Sequence, residues 1–206
     1  MDNNNNSNNL TLVHIDKDHP FREKTERYVA SRYASAFQAR IHSFMPAFLA
    51  LVDNNEQLLS VCGYQAAHTG NLYLEQYLDQ PAEQLMSERF GQAIVRSELI
   101  EFGQLAAFSK GMSYLHFTLI AEHLVRCGYN WCIFTATGPL QAMMRRLGLN
   151  PTVLAEATAE RIPNADAIWG TYYQQQPRIS GGSLASGLEV LNQRRFPVLQ
   201  AFGGQA

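Results

Sequence analysis

The segment Glu98–Thr135 constrains the fold more than any other. ELIEFGQLAA (Glu98–Ala107) reads as a buried strand, Ser109-Lys110-Gly111 as a turn, Met112–Cys127 as a helix and WCIFT (Trp131–Thr135) as a second buried strand. The helix carries an apolar stripe of Met112, Leu115, Leu119, Ile120 and Leu124, and Gly128 stands where a left-handed closing residue is favoured. A strand–helix–strand succession of this length is a crossover unit, so its two strands should be parallel neighbours. Thr137-Gly138-Pro139 then breaks the chain, and Leu140–Leu147 forms a short helix ended by Gly148.

Around this unit the pattern is of hairpins and helices. Leu10–Ile15 reads as a short strand, and Phe21–Arg40 as a helix, with Tyr28, Ala30, Tyr33, Ala34 and Phe37 recurring near the helical period. Phe48–Val52 and Leu58–Ala66 flank the turn residues Asp53-Asn54-Asn55 and make a hairpin. Leu72–Tyr77 reads as a further strand or strand edge, and Pro81 opens a helix of about ten residues. Gly181-Gly182 reads as a flexible joint, followed by a short helix over Leu184–Leu191. The class is therefore α/β in the mixed α+β sense, a mixed sheet flanked by helices.

Composition narrows the function classes. Against 18 Asp+Glu the 206-residue chain has 16 Lys+Arg, a formal net charge of −2, so it has no basic excess with which to neutralise nucleic-acid phosphates. With 17% charged and 46% hydrophobic residues it can bury a real core, and the low charge raises the expectation that some apolar surface meets something greasy. The expected organisation is an Asn-rich disordered tail over 1–9, one domain over 10–192 and a C-terminal tail over 193–206. Cys62, Cys127 and Cys132 lack zinc or disulfide spacing, no basic-then-apolar leader opens the chain, and no apolar run approaches the ~20 residues of a membrane span. A cytoplasmic protein, not integral to the membrane, is the expectation.

Three places could carry chemistry. The Ser109–Ser113 turn feeds a helix, where free backbone N–H groups, the helix dipole and Lys110 suit a phosphate or pyrophosphate; the alternative is an ordinary turn with Gly111 for geometry. Glu101 lies in an otherwise uncharged run, and Glu75 lies between Tyr73 and Tyr77 with Asp79 four residues on. Such carboxylates are either buried, with values raised toward those of a general base, or turned to solvent by strand alternation. Trp169, Tyr172 and Tyr173 either line an acyl tunnel or pack the core. The six histidines make no metal spacing; His116 and His123 read as a solvated helix face, and Cys132 as a small core residue.

RYASAFQARIHSFMPAFLAL (Arg32–Leu51), CGYQAA (Cys62–Ala67), LYLEQYLDQPAE (Leu72–Glu83), IEFGQLAAFSKG (Ile100–Gly111), WCIFTATGPLQAMMRRLGLNP (Trp131–Pro151) and WGTYYQQQPRISGG (Trp169–Gly182) together resemble the bacterial thermostable hemolysin family. That family in turn looks like a branch of the GNAT-type acyltransferase fold, near the acyl-homoserine-lactone synthases. The resemblance implies a mostly antiparallel sheet with one splayed parallel strand pair, and an acyl thioester donor, either acyl-CoA or a phosphopantetheine-linked acyl carrier protein. It implies that Leu105, Ala106 and Ala107 offer backbone groups to the pantetheine, and that Ser109, Lys110, Gly111, Met112 and Ser113 hold the pyrophosphate. Glu101 or Glu75 would be the base. Tyr64, Gln65, Tyr77, Asp79, Gln104 and Thr135 would contact a small-molecule amine acceptor, with no metal required.

Some positions depart from the relatives. The turn is poorer in glycine and basic residues than the usual GNAT turn, which makes an acyl carrier protein an alternative donor to acyl-CoA. Met143 and Met144 stand where many relatives place a tyrosine, Gln65 where the family commonly has arginine, and Gln104 where it has asparagine. The expected activity is N-acyl transfer in the biosynthesis of a natural product or lipid-like metabolite. The alternatives are a membrane-active cytolysin and a non-catalytic partner that binds acyl carriers.

Overall fold

A computed structural model of the chain describes residues 10–107 and 112–202, with backbone alone for Met112 and for 195–202. The expected Asn-rich tail and the turn residues Ser109, Lys110 and Gly111 lie outside the described residues. In chain order the elements are β1 (Thr11–Ile15), α1 (Arg22–Phe37), β2 (Ala47–Val52), β3 (Leu58–Ala66), α2 (Ala82–Phe90), β4 (Leu99–Ala107), α3 (Met112–Arg126), β5 (Trp131–Ala136), α4 (Gly138–Arg146), β6 (Thr152–Glu156), α5 (Ala165–Trp169), β7 (Arg178–Ser183) and α6 (Leu184–Phe202).

The strands form one sheet in the order β1-β2-β3-β4-β5-β7-β6. Every neighbouring pair is antiparallel except β4 and β5, the two ends of the crossover unit, which are parallel as expected. The β2–β3 turn is built by Asp53, whose Oδ1 accepts from the N–H groups of Asn55 and Gln57 at 2.9 and 2.8 Å.

Two irregularities shape the middle of the sheet. The β4–β5 ladder runs only from Leu99–Trp131 to Phe102–Phe134, after which β4 continues to Ala107 and the two strands splay. Opposite β3, Gly103 pairs with Gly63 and Ala106 with Val61, so three steps of β4 match two of β3. This is a β-bulge, and Gln104 within it has φ 52°.

Alternation assigns the faces. Leu99, Trp131, Ile133 and Ile179 pack on one side with Leu72, Leu74 and Tyr77, while Ile100, Cys132 and Phe134 pack on the other with Ile120 and Leu124 of α3 and Leu184 of α6. Val61, Phe48 and Ala50 meet Val29 of α1 on the first side.

Three expectations fail here for identifiable reasons. Leu72–Tyr77 is not a strand: both edges of β3 are already occupied by β2 and β4, and residues Tyr73–Tyr77 wind into a 3-10 helix. Its opening is fixed by Glu75, which accepts from the Leu72 N–H at 2.8 Å. Gly181-Gly182 is not a joint but part of β7: both residues pair with β5, and Gly181, which is buried, also pairs with β6. A Cβ at Gly181 would lie 3.1 Å from both the Cys132 carbonyl oxygen and Leu154 Cδ1, so glycine is there for close packing.

His116 is fully buried instead of solvated. Its Nε2–H donates to the Leu49 carbonyl at 3.1 Å, which leaves Nδ1 to accept from the Ser60 hydroxyl at 2.6 Å. Burial pushes the ring down to about 4. Below about 6.5 the unfolded chain takes up a proton that the native ring refuses, so stability falls as pH drops from 6.5 toward 4. Ser60→Ala leaves Nδ1 without its donor and should cost about 1–2 kcal/mol in urea unfolding at neutral pH.

Candidate active site

Where β4 and β5 splay, a cavity of about 1280 Å³ opens. Its wall takes residues from both faces of the sheet: Tyr33, Tyr73, Tyr77, Trp169 and Tyr172 from one, and Phe117, Ile120, Phe134, Leu140, Leu184 and Leu191 from the other. The second group is apolar, and Met144 belongs to it.

Glu101 stands on the wall at the point where the strands are about to part, opposite Gln65 of β3 and Ile133 of β5. Only 3% exposed, its carboxylate accepts from the Tyr73 N–H at 2.7 Å and the Leu74 N–H at 3.2 Å, the first two donors of the 3-10 helix. Burial pushes this carboxyl up to about 8; the two backbone bonds pull it down, and the charge of Glu75 pushes it up. Glu101 is thus a buried acid poised near neutrality beside a cavity.

Glu75 sits differently. It accepts from the Leu72 and Ala82 N–H groups and from both terminal nitrogens of Arg96, at 2.6 and 3.1 Å, and it is not part of the cavity wall. Burial pushes its carboxyl up, but the Arg96 and backbone hydrogen bonds outweigh this and leave it below the ordinary carboxylate value. Arg96 also reaches Glu83 at 2.7 Å and the carbonyls of Ala67 and Gly70. This clip fixes the 3-10 helix that holds Glu101. No sequence signal pointed to Arg96, because a single arginine ahead of a strand has no characteristic pattern.

Of the other expected contacts, the structure brings Gln65, Tyr77, Gln104, Leu105 and Thr135 to the cavity. Tyr64 lies on the other face of β3, its hydroxyl 3.0 Å from His14 Nε2, and Asp79 pairs with Arg161 at 2.6 Å; neither lines the cavity. Gln104 is committed at both ends, its Oε1 accepting from the Met45 N–H at 2.9 Å and its Nε2 donating to the Ser43 carbonyl at 2.8 Å. It therefore pins the loop between α1 and β2, whose Ser43, Phe44 and Met45 form part of the wall. Gln104→Ala should cost about 1–3 kcal/mol of stability and raise the susceptibility of that loop to limited proteolysis.

Ala106 is buried, and the Ala107 carbonyl accepts from Arg32 at 3.1 Å. Beyond Phe102, Leu105 to Ala107 face β5 across the splay without ladder partners on that side. Ser113 opens the first turn of α3. Ser109, Lys110, Gly111 and the Met112 side chain lie outside the described residues.

Cys62 and Cys132 also line the cavity, but burial pushes both thiols up to about 12, so they are neutral, as a core role for Cys132 requires. The aromatic residues are locked to one another: Trp169 Nε1 donates to the Tyr73 hydroxyl at 3.0 Å, and the Tyr77 and Tyr173 hydroxyls are 2.6 Å apart. Gly170, with φ 55°, lets this segment cross the end of α1, where a Cβ would fall on the Phe37 carbonyl oxygen.

Residues 15–188 match the family model for thermostable hemolysin. The chain belongs to the thermostable hemolysin family. Among curated proteins none matches it. Solved structures share its fold. FeeM, an N-acyl amino acid synthase from uncultured soil microbes, superposes with a TM-score of 0.62 at 12% identity, over 89% of this chain and 94% of that one. The acyl-homoserine-lactone synthase LasI gives 0.56 at 13% identity, over 86% and 91%. BjaI, a CoA-dependent acyl-homoserine-lactone synthase solved with SAM and isopentyl-CoA, gives 0.54 at 11% identity, over 90% and 89%. The chain thus shares the fold of these synthases, a mixed, mostly antiparallel sheet with its one parallel pair at β4–β5. Among the described residues, no helix is long and apolar enough to cross a membrane.

Proposed function

We propose that the chain is an N-acyltransferase that moves an acyl group from a phosphopantetheine thioester, acyl-CoA or an acyl carrier protein, to the amine of a small molecule. The observation that carries this reading is Glu101, buried on the wall of a cavity that passes between two splayed strands and is apolar on the far side. The likeness of the fold to synthases whose names describe acyl transfer supports it.

The pantetheine runs along the unladdered edge of β4, Leu105 to Ala107, and its thioester reaches the splay. The acyl chain occupies the apolar half of the cavity under α3 and α6, where Phe117, Ile120, Phe134 and Leu184 exclude water. The acceptor enters from the side of Glu101. Holding the amine about 3 Å from the thioester carbon supplies most of the acceleration. Glu101 takes the proton from the incoming ammonium, either directly or through one water. The amine nitrogen then bonds to the carbonyl carbon while a backbone N–H near Leu105 or Ala106 polarises the oxygen. The C–S bond breaks as the carbonyl re-forms, and the second nitrogen proton ends on the departing thiol. Glu75 and Arg96 position Glu101 and touch no substrate.

Incubating the full chain with acyl-CoA or acyl-phosphopantetheine thioesters and primary amines should release free thiol in step with amide. If thiol is never released, this reading is wrong. Leakage of dye from liposomes caused by the chain alone, without any thioester, would instead support direct membrane lysis.

A further inference from the structure

Resting on the acyltransfer reading, a second feature of the cavity bears on the acceptor. On the Glu101 side its wall carries Tyr33, Phe37, Tyr73, Tyr77, Trp169 and Tyr172. Tyr73 and Trp169 meet edge to face with ring centroids 6.0 Å apart, Trp169 and Tyr172 lie at 5.6 Å, and Tyr73 and Tyr77 at 6.4 Å. The Tyr73 and Trp169 polar atoms bond each other, as do the Tyr77 and Tyr173 hydroxyls, so the ring surfaces remain the main recognition element. Among the described residues lining the cavity, the charged side chains are Glu98 and Glu101, both acidic. Arg96 is engaged by Glu75 and Glu83, and Arg161 by Asp79.

We infer that the acceptor is an arylalkylamine without a carboxylate, its ammonium end toward Glu101 and its ring among Tyr73, Tyr77, Trp169 and Tyr172. An ammonium group is attracted both by the Glu101 carboxylate and by the faces of electron-rich rings. An aromatic ring on the acceptor adds offset or edge-to-face packing with the same residues. The carboxylate of an amino acid would instead be desolvated in a site whose charged side chains among the described residues are both acidic. The same burial also favours the chemistry. Taking the pair out of water penalises the ammonium and the carboxylate together, so proton transfer to the neutral amine and neutral acid is favoured before attack. That proton passes to solvent after the amide leaves.

The test measures thiol release and amide mass for the full chain with short-, medium- and long-chain acyl-CoA and acyl-phosphopantetheine. The acceptor pairs are tyramine with L-tyrosine and phenethylamine with L-phenylalanine. In each pair kcat/KM should be at least about tenfold higher for the amine. Amino acids used as well as or better than their amines would overturn this inference and leave acyl transfer standing. No thiol release with any of the four would overturn this inference, and none with a wider set of aliphatic primary amines as well would overturn acyl transfer.

Discussion

Glu101→Gln should lower kcat by about a thousandfold, the range for loss of a positioned general base, and abolish the acid limb of the pH profile. In the native chain kcat/KM should rise with pH to a bend near 8, where burial has put this carboxyl. Stability should move in the opposite direction. Because the folded-state value lies above the unfolded one, the native chain keeps a proton that the unfolded chain sheds between about 4.5 and 8. The fold therefore loses stability as pH rises through that window, by a few kcal/mol, and the loss levels off above it. Glutamine cannot ionise, though it accepts at only one of the two N–H groups of Tyr73 and Leu74. Thermal melts should show the variant gaining on the native chain as pH increases, while its activity stays lost. A purely structural carboxylate would not combine these two results.

Arg96→Met carries the second large effect. Its side chain is 27% exposed and binds Glu75 and Glu83, which are 16% and 22% exposed, together with the carbonyls of Ala67 and Gly70. Removal leaves two half-buried carboxylates side by side and frees the end of the 3-10 helix. Partial exposure lowers the cost below that of a fully buried pair, to about 3 kcal/mol in denaturant unfolding. The consequence for activity is more specific. With Arg96 gone, the charge of Glu75 bears on Glu101 uncompensated, and the two backbone donors loosen. Both changes push Glu101 further up, so the acid limb should shift alkaline by about one pH unit. An arginine that serves only the fold would lower the melting temperature and leave the limb in place.

The parts of the fold legible in the sequence were those set by local spacing. The crossover from Glu98 to Thr135 is long enough for one helix, and its hydrophobic runs leave little freedom, so the parallel pair is readable. Glu101 was readable as a charge inside an apolar run. Its partners were not, since they are backbone N–H groups of Tyr73 and Leu74, in a stretch whose alternating pattern resembles a strand. The same stretch misled over Glu75, which looks like a site residue and serves as a helix opening and an ion-pair partner. Gly181 and Gly182 suggested freedom, whereas the close approach of the Cys132 carbonyl and Leu154 requires a missing side chain. His116 shares a helix with partly exposed residues, His123 among them, and its burial depends on where α3 meets Ser60 and Leu49, which helical periodicity does not encode. The Gln104 bulge and the clasp it forms on Ser43 and Met45 likewise arise only once the sheet is assembled.

The most direct measurement is amide formation by the full chain, detected by mass as a function of pH, from an acyl thioester and a primary arylalkylamine. The amide should appear together with free thiol, its rate rising to a bend near pH 8 in the native chain and falling about a thousandfold in Glu101→Gln. No amide at any pH, or an unchanged rate in that variant, would contradict acyl transfer through Glu101.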